Sequence, residues 1–132
     1  MLQNTDSSYG WVQAIKDKNI GRALGKIHQT PNESWTVALL SIQAALSRTV
    51  FAERFTKLIG IPPMKYVHYF RMNLAGDMLR EKDDYLLGEV AEKTGYSSEV
   101  SFSRAFKKFW GKPPGLFRRT PERGKPFGIG NC

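Results

Sequence analysis

In the run Glu99–Trp110, the side chains that could do chemistry fall on one side. Steps of 100° per residue place Phe102, Phe106 and Phe109 together and Val100, Arg104 and Lys107 opposite, with Ser101, Ser103 and Lys108 flanking. Arg104 is the candidate for direct base readout, because a planar guanidinium fork fits guanine O6 and N7. Such a pairing discriminates by about 1–3 kcal/mol. Lys107, Lys108, Lys112, Arg118 and Arg119 suit phosphate, as do Ser47, Lys57 and Ser98. The competing reading is a solvated basic face. A second run, Arg48–Ile59, has the same plan with less charge. Phe51, Phe55, Leu58 and Ile59 form its apolar side, Thr49, Glu53 and Thr56 the opposite side, and Ala52 and Lys57 flank. Glu53 can accept from cytosine N4 or pair with Lys57 at the i,i+4 spacing.

Other chemistry finds little support. His28 and His68 stand apart, with no Asp, Glu or Cys at ligand spacing, so no metal is expected. The single cysteine, Cys132, is the last residue and lies in a glycine-rich tail without an activating environment. Gly128-Ile129-Gly130 reads as a flexible end and not as a phosphate loop. We therefore expect no catalytic residue, no cofactor and no enzyme. Twenty Lys and Arg against twelve Asp and Glu give a net charge of +8, which points to an anionic partner. Charge alone leaves nucleic acid, an anionic membrane face and an acidic protein open. No apolar run approaches the roughly 18 residues of a membrane span. Nor does Met1-Leu2-Gln3-Asn4-Thr5 begin like a signal peptide, so the expected place is the cytoplasm and the membrane is not an expected partner.

The elements that must hold these faces are duplicated. A shift of 51 positions carries Ser47 onto Ser98, Phe51 onto Phe102, Phe55 onto Phe106 and Lys57 onto Lys108. The same shift carries Gly60 onto Gly111, Pro62-Pro63 onto Pro113-Pro114 and Tyr66 onto Phe117. Each copy reads as helix, tight turn, helix. In the first, Thr36 is the N-cap of a run from Val37 to near Ala45, with Trp35 and Leu40 at staple positions. Ser47 caps Arg48 to about Ile59, and Gly60 with Pro62-Pro63 stops that helix. In the second, Leu86–Thr94, the turn Gly95-Tyr96-Ser97 and the cap Ser98 lead into Glu99–Trp110.

Between the copies, Met64, Val67, Leu74, Met78 and Leu79 predict one apolar stripe on a connecting helix of about 18 residues, roughly 27 Å long. A further helix, about Lys18 to Gln29, carries Ile20, Leu24 and Ile27 on one face. The expected fold is all-α: two helix-turn-helix subdomains (about 36–60 and 86–111) joined by a long helix (about 63–81), about seven helices in residues 10–119. Residues 1–9 and 120–132 read as loose flanks.

The stretch Gly95-Tyr96-Ser97-Ser98-Glu99-Val100-Ser101-Phe102-Ser103-Arg104-Ala105-Phe106-Lys107-Lys108-Phe109-Trp110-Gly111-Lys112-Pro113-Pro114, closing with Phe117-Arg118, resembles the second helix-turn-helix of the AraC/XylS family of bacterial transcription regulators. Arg71-Met72 with Ala75, Met78 and Leu79 is similar to that family's connecting helix, and the resemblance runs from about Gly10-Trp11 to Arg119. It implies two recognition helices in adjacent major grooves of double-stranded promoter DNA, and contact with RNA polymerase. By position it implies Arg48, Thr49, Ala52 and Glu53 as base-facing in the first reader, and Glu99, Val100, Ser101, Ser103 and Arg104 in the second. Two residues depart from the family pattern: Ala45 stands for the usual turn glycine, and Ser97 for a frequent acidic residue. Longer members carry an upstream effector-binding or dimerisation domain, and Gly10–Ile15 through Trp35-Thr36 resembles the junction to it, so a C-terminal fragment is expected, with a freestanding regulator as the alternative. The alternative function is a helical protein-interaction module whose basic face meets an acidic partner.

Overall fold

The computed structural model describes residues 16–81 and 85–119, and these residues form seven helices and no strand. The helices are α1 (Lys18–Gln29), α2 (Val37–Ala44), α3 (Arg48–Ile59), α4 (Pro63–Glu81), α5 (Leu87–Lys93), α6 (Glu99–Trp110) and α7 (Pro114–Arg119). The all-α expectation therefore holds. Two compact units divide within α4, one ending at Val67 and the other beginning at His68. The flanks 1–9 and 120–132, the stretch Gly10–Ile15 and Cys132 lie outside the described residues.

In the first unit, each helix starts where a side chain can satisfy its free N–H groups. Asp17 accepts from the backbone of Asn19 and Ile20, both at 3.0 Å, to open α1. Thr36 accepts from Leu39 N at 3.0 Å to open α2, and Ser47 from Val50 N at 3.2 Å to open α3. Trp35 and Leu40, at the staple positions, are both buried, and Trp35 Nε1 donates to Thr30 O at 2.9 Å. Ile20, Ala23, Leu24 and Ile27 of α1, with Leu40 and Ala44 of α2 and Phe51 and Phe55 of α3, make up the apolar interior of this unit.

The carboxyl end of α2 is finished by α1. Asn19 Nδ2 donates to Ala44 O at 2.7 Å and Arg22 Nε to Gln43 O at 3.3 Å, supplying donors that the helix end itself lacks.

In the second unit, Met72, Ala75, Met78 and Leu79 of α4 pack with Val90 and Ala91 of α5, Phe102 and Phe106 of α6, and Phe117 of α7. Burial of each such ring stabilises the fold by about 1.5–3 kcal/mol. Trp110 lies against α4, where its Nε1 donates to Met72 O at 3.0 Å. Gly76 leaves room for that indole, because a Cβ there would stand 2.9 Å from the ring. The guanidinium of Arg80 sits over Trp110 and Phe117, 5.3 and 4.8 Å from their ring centroids.

The stripe expected on α4 needs correction. Tyr66, Val67, Met72, Ala75, Met78 and Leu79 are buried, whereas Met64 and Leu74 are only half-buried. One helix serves two cores, so no single stripe runs its length. Tyr66 packs edge-on to Phe55 at 5.8 Å in the first unit, and the residues from Met72 onward belong to the second.

The duplication is visible in three dimensions. Phe51 and Phe55 lie 5.6 Å apart, and Phe55 meets Tyr66 edge-on at 5.8 Å. Their counterparts Phe102 and Phe106 lie 5.6 Å apart, and Phe106 meets Phe117 edge-on at 5.0 Å. Gly60 and Gly111 end α3 and α6 at φ 99° and 90°, a left-handed conformation that excludes most side chains. Each donates to the carbonyl four residues back at 2.8 Å.

The turns differ. Leu46 N bonds to Ser41 O at 3.0 Å over a left-handed Ala45, and Tyr96 N to Ala91 O at 2.8 Å over a left-handed Gly95. Ser47 follows Ala45 by two residues, but Ser98 follows Gly95 by three. The copies are thus in step by 51 from the cap serine onward, and one residue out of step before it.

Candidate nucleic-acid interface

The second helix of each motif presents one buried and one open side. On α3, Phe51 and Phe55 are fully buried, while Ser47, Arg48, Thr49, Glu53 and Lys57 are exposed and Ala52 is half-buried. Ala52, Glu53, Thr56 and Lys57 line one open groove along that helix. On α6, Phe102 and Phe106 are fully buried, while Ser98, Glu99, Val100, Ser101, Arg104, Lys107 and Lys108 are exposed. Ser103, Lys112 and Arg118 are half-buried, and Arg119 closes α7 with its side chain outside the described residues.

The two exposed faces differ in electrostatics. Arg104, Lys107 and Lys108 against Glu99 make that of α6 the more cationic, whereas Arg48 and Lys57 against Glu53 leave that of α3 less charged. Glu53 and Lys57 do not close into an ion pair among the described residues. What closes is Arg54 with Asp17 at 3.6 Å, and Arg54 also donates to Asn19 Oδ1 at 3.4 Å. These bonds tie the reader helix α3 to the start of α1.

Several candidates already have work inside the protein. Ser98 Oγ accepts from Ser101 N at 3.0 Å and lies 3.1 Å from Ser101 Oγ, so the two hydroxyls close the cap of α6 together. Arg118 donates through Nη2 to Tyr85 O, which spends part of its guanidinium within the second unit.

Behind the turn of the second motif lies a cluster that sequence reading did not single out. The Arg71 guanidinium occupies the space where a side chain at Gly95 would stand, 2.9–3.0 Å from the position of a Cβ. Gly95 must therefore be glycine both for its φ of 91° and for this close approach. Tyr96 Oη lies 3.5 Å from His68 Nδ1, and His68 meets Phe109 edge-on at 5.8 Å. Burial holds the His68 imidazole below its ordinary value, helped by the positive charges of Arg71 and Lys108. Burial likewise raises the Tyr96 hydroxyl, opposed by Arg71. In the first unit His28 Nε2 and Tyr66 Oη share a 2.7 Å hydrogen bond. Burial lowers the histidine and raises the tyrosine, so both stay neutral at pH 7. Each histidine is thus engaged with a tyrosine of its own unit. Arg71 follows His68 by three residues along α4, but its role depends on tertiary proximity to Gly95.

Among the described residues, no three His, Cys, Asp or Glu are grouped to hold a metal ion, and no helix is long and apolar enough to cross a membrane.

Comparison with known proteins agrees with this geometry. A family model described as a helix-turn-helix domain matches residues 40–120. The chain is 40% identical over 112 residues to a Streptomyces lividans protein named as an AraC-like transcription regulator, covering 85% of this chain and 36% of that protein. It is 33% identical over 118 residues to the HTH-type transcriptional regulator AlkR of Acinetobacter baylyi, covering 89% of this chain and 38% of the relative. The chain therefore spans a little over a third of the length of these curated relatives. Among solved structures, the DNA-binding domain of the global transcriptional factor AdpA, in complex with a target DNA, superposes with a TM-score of 0.69 at 28% identity, covering 74% of this chain and 87% of that one. The C-terminal domain of AraT, a response regulator from Geobacillus stearothermophilus, superposes with a TM-score of 0.72 at 25% identity, covering 82% and 89%.

Proposed function

The chain belongs to the AraC-type helix-turn-helix family of transcription regulators, and on that premise we propose that it binds double-stranded promoter DNA sequence-specifically, with α3 and α6 as recognition helices in successive major grooves. The observation that carries this reading is the α6 face: Arg104, Lys107 and Lys108 are exposed on the side opposite the fully buried Phe102 and Phe106. A helix fixed by its aromatic side in this way offers cations outward in a rigid frame, which suits a groove lined by phosphates.

The roles divide by position. Arg48, Thr49, Ala52 and Glu53 of α3, and Glu99, Val100, Ser101, Ser103 and Arg104 of α6, face base edges. Lys57, Lys107, Lys108 and Lys112, with Arg118, Arg119 and the cap residues Ser47 and Ser98, meet phosphates and set the register. No catalytic step belongs to this reading, and its place of action is the bacterial cytoplasm. Contact with RNA polymerase, and control by an effector-binding domain in a longer protein, complete the proposal.

Selection of bound duplexes from a random pool tests it. The expected result is an asymmetric site whose two unlike half-sites lie about 10–10.5 base pairs apart. Affinity should fall linearly with salt on logarithmic axes, as counterions are released from several phosphates. Failure to enrich any duplex, or binding indifferent to salt, overturns the proposal in favour of an acidic protein partner.

A further inference from the structure

Val100 stands 62% exposed at the second position of α6, with exposed Arg104 one turn further along the same face. Among the described residues it belongs neither to the core of the second unit nor to the partly buried residues packed against it. A β-branched residue in an exposed first turn has lower helix propensity than alanine and gains no packing there. Its neighbours on the same face also make contacts within the protein. Ser101 is tied to Ser98 at the cap, Ser103 is half-buried, and the Glu99 carboxylate leans toward α5, 4.0 Å from where a Cβ on Gly88 would stand. The equivalent pair on α3 is Thr49 and Glu53.

We propose that Val100 is a specificity-determining residue that recognises the C5-methyl group of a thymine within two base pairs of the base met by Arg104. The inference rests on the DNA-reading function proposed above. Thymine is the one base whose major-groove edge carries a methyl group, and an apolar side chain is its natural complement. Valine in a helix holds one preferred χ1, so its two methyls are already placed and little freedom is lost on contact. Residues four apart on a helix lie about 5–6 Å apart at Cβ, which keeps the two reading side chains over neighbouring steps of the duplex.

The test uses the 132-residue chain and the duplex selected above, with each thymine of the α6 half-site replaced in turn by deoxyuridine, which pairs identically but lacks the methyl. At one position the wild-type affinity should fall about fourfold, the worth of one buried methyl group. Val100→Ala should bind the thymine duplex as weakly as the wild type binds the uracil duplex, and should not distinguish the two. Its thermal midpoint should equal or slightly exceed that of the wild type, since alanine is the better helix former. The proposal is overturned if no uracil replacement weakens the wild type, or if Val100→Ala still discriminates. Loss of binding by Val100→Ala to every duplex, random sequence included, also overturns it, since that outcome assigns the residue to the fold. If the wild type selects no duplex, the underlying DNA-binding reading fails; if it selects one without methyl dependence, only this inference fails.

Discussion

Arg104 and its lysine neighbours share one face of α6 but should fail in different ways. Arg104 is exposed at the centre of that face and reads by shape, so Arg104→Ala should lower affinity for the selected site by about 1–3 kcal/mol and relax preference at one base position. Arg104→Lys keeps the charge but loses the fork, and should relax the same position with the salt dependence unchanged. Lys107→Ala and Lys108→Ala should instead weaken binding evenly across sequences, each making the slope of log K against log salt shallower by about 1. Anisotropy titrations of matched and random duplexes at several salt concentrations separate the two patterns. An unchanged base preference in Arg104→Ala would remove that residue from the readout.

The turns between paired helices are an element-scale matter, and equivalent substitutions there should have opposite signs. Ala45 is the one non-glycine residue at positive φ among the described residues, at 59°. A left-handed alanine costs about 1–2 kcal/mol, so Ala45→Gly should raise the thermal midpoint despite the greater freedom it gives the unfolded chain. Gly95→Ala should lower it, since the new Cβ meets both the φ of 91° and the Arg71 guanidinium at 2.9 Å. Calorimetry of the two variants checks both signs. The serine and threonine caps, the stopping glycines and the paired phenylalanines were legible in the sequence because each acts within one turn or repeats at a fixed offset. The donors that Asn19 and Arg22 supply to the end of α2, and the position of Arg71 behind Gly95, were not, because they join residues more than twenty positions apart with no local pattern. The α4 stripe was misread for a related reason: a period assumes one partner, and this helix has two cores to serve. At the reading faces, residue types and helical spacing showed which side is open, but not that Ser98 and Ser101 are bound to each other or that Arg118 is turned to Tyr85.

At the scale of the whole chain, each unit holds one histidine beside a tyrosine, His28 with Tyr66 and His68 with Tyr96. Both imidazoles lie below their ordinary value when folded, chiefly through burial. As pH falls, the unfolded chain therefore takes up protons before the folded one does. Stability contributed by these groups is complete above about pH 7 and declines as pH drops below about 6.5. Thermal midpoints at pH 7.5 and 5.5 should show this loss, and His28→Gln with His68→Gln should reduce it; equal midpoints in the wild type would contradict the sign. The step in register at the cap serines bears on how the chain could be rebuilt. Because the two copies run in phase from Ser47 and Ser98 onward and out of phase before them, those serines are the natural splice points. Residues 98–117 transplanted onto 47–66 would keep the cap, the stopping glycine and the repeated rings in register, at the loss of the bonds that Arg54 and the Tyr66 hydroxyl make, because Ala105 and Phe117 fall at those positions. A cassette cut further upstream would carry one residue too many into the first turn. The chain with two identical cassettes should trade its asymmetric target for a direct repeat.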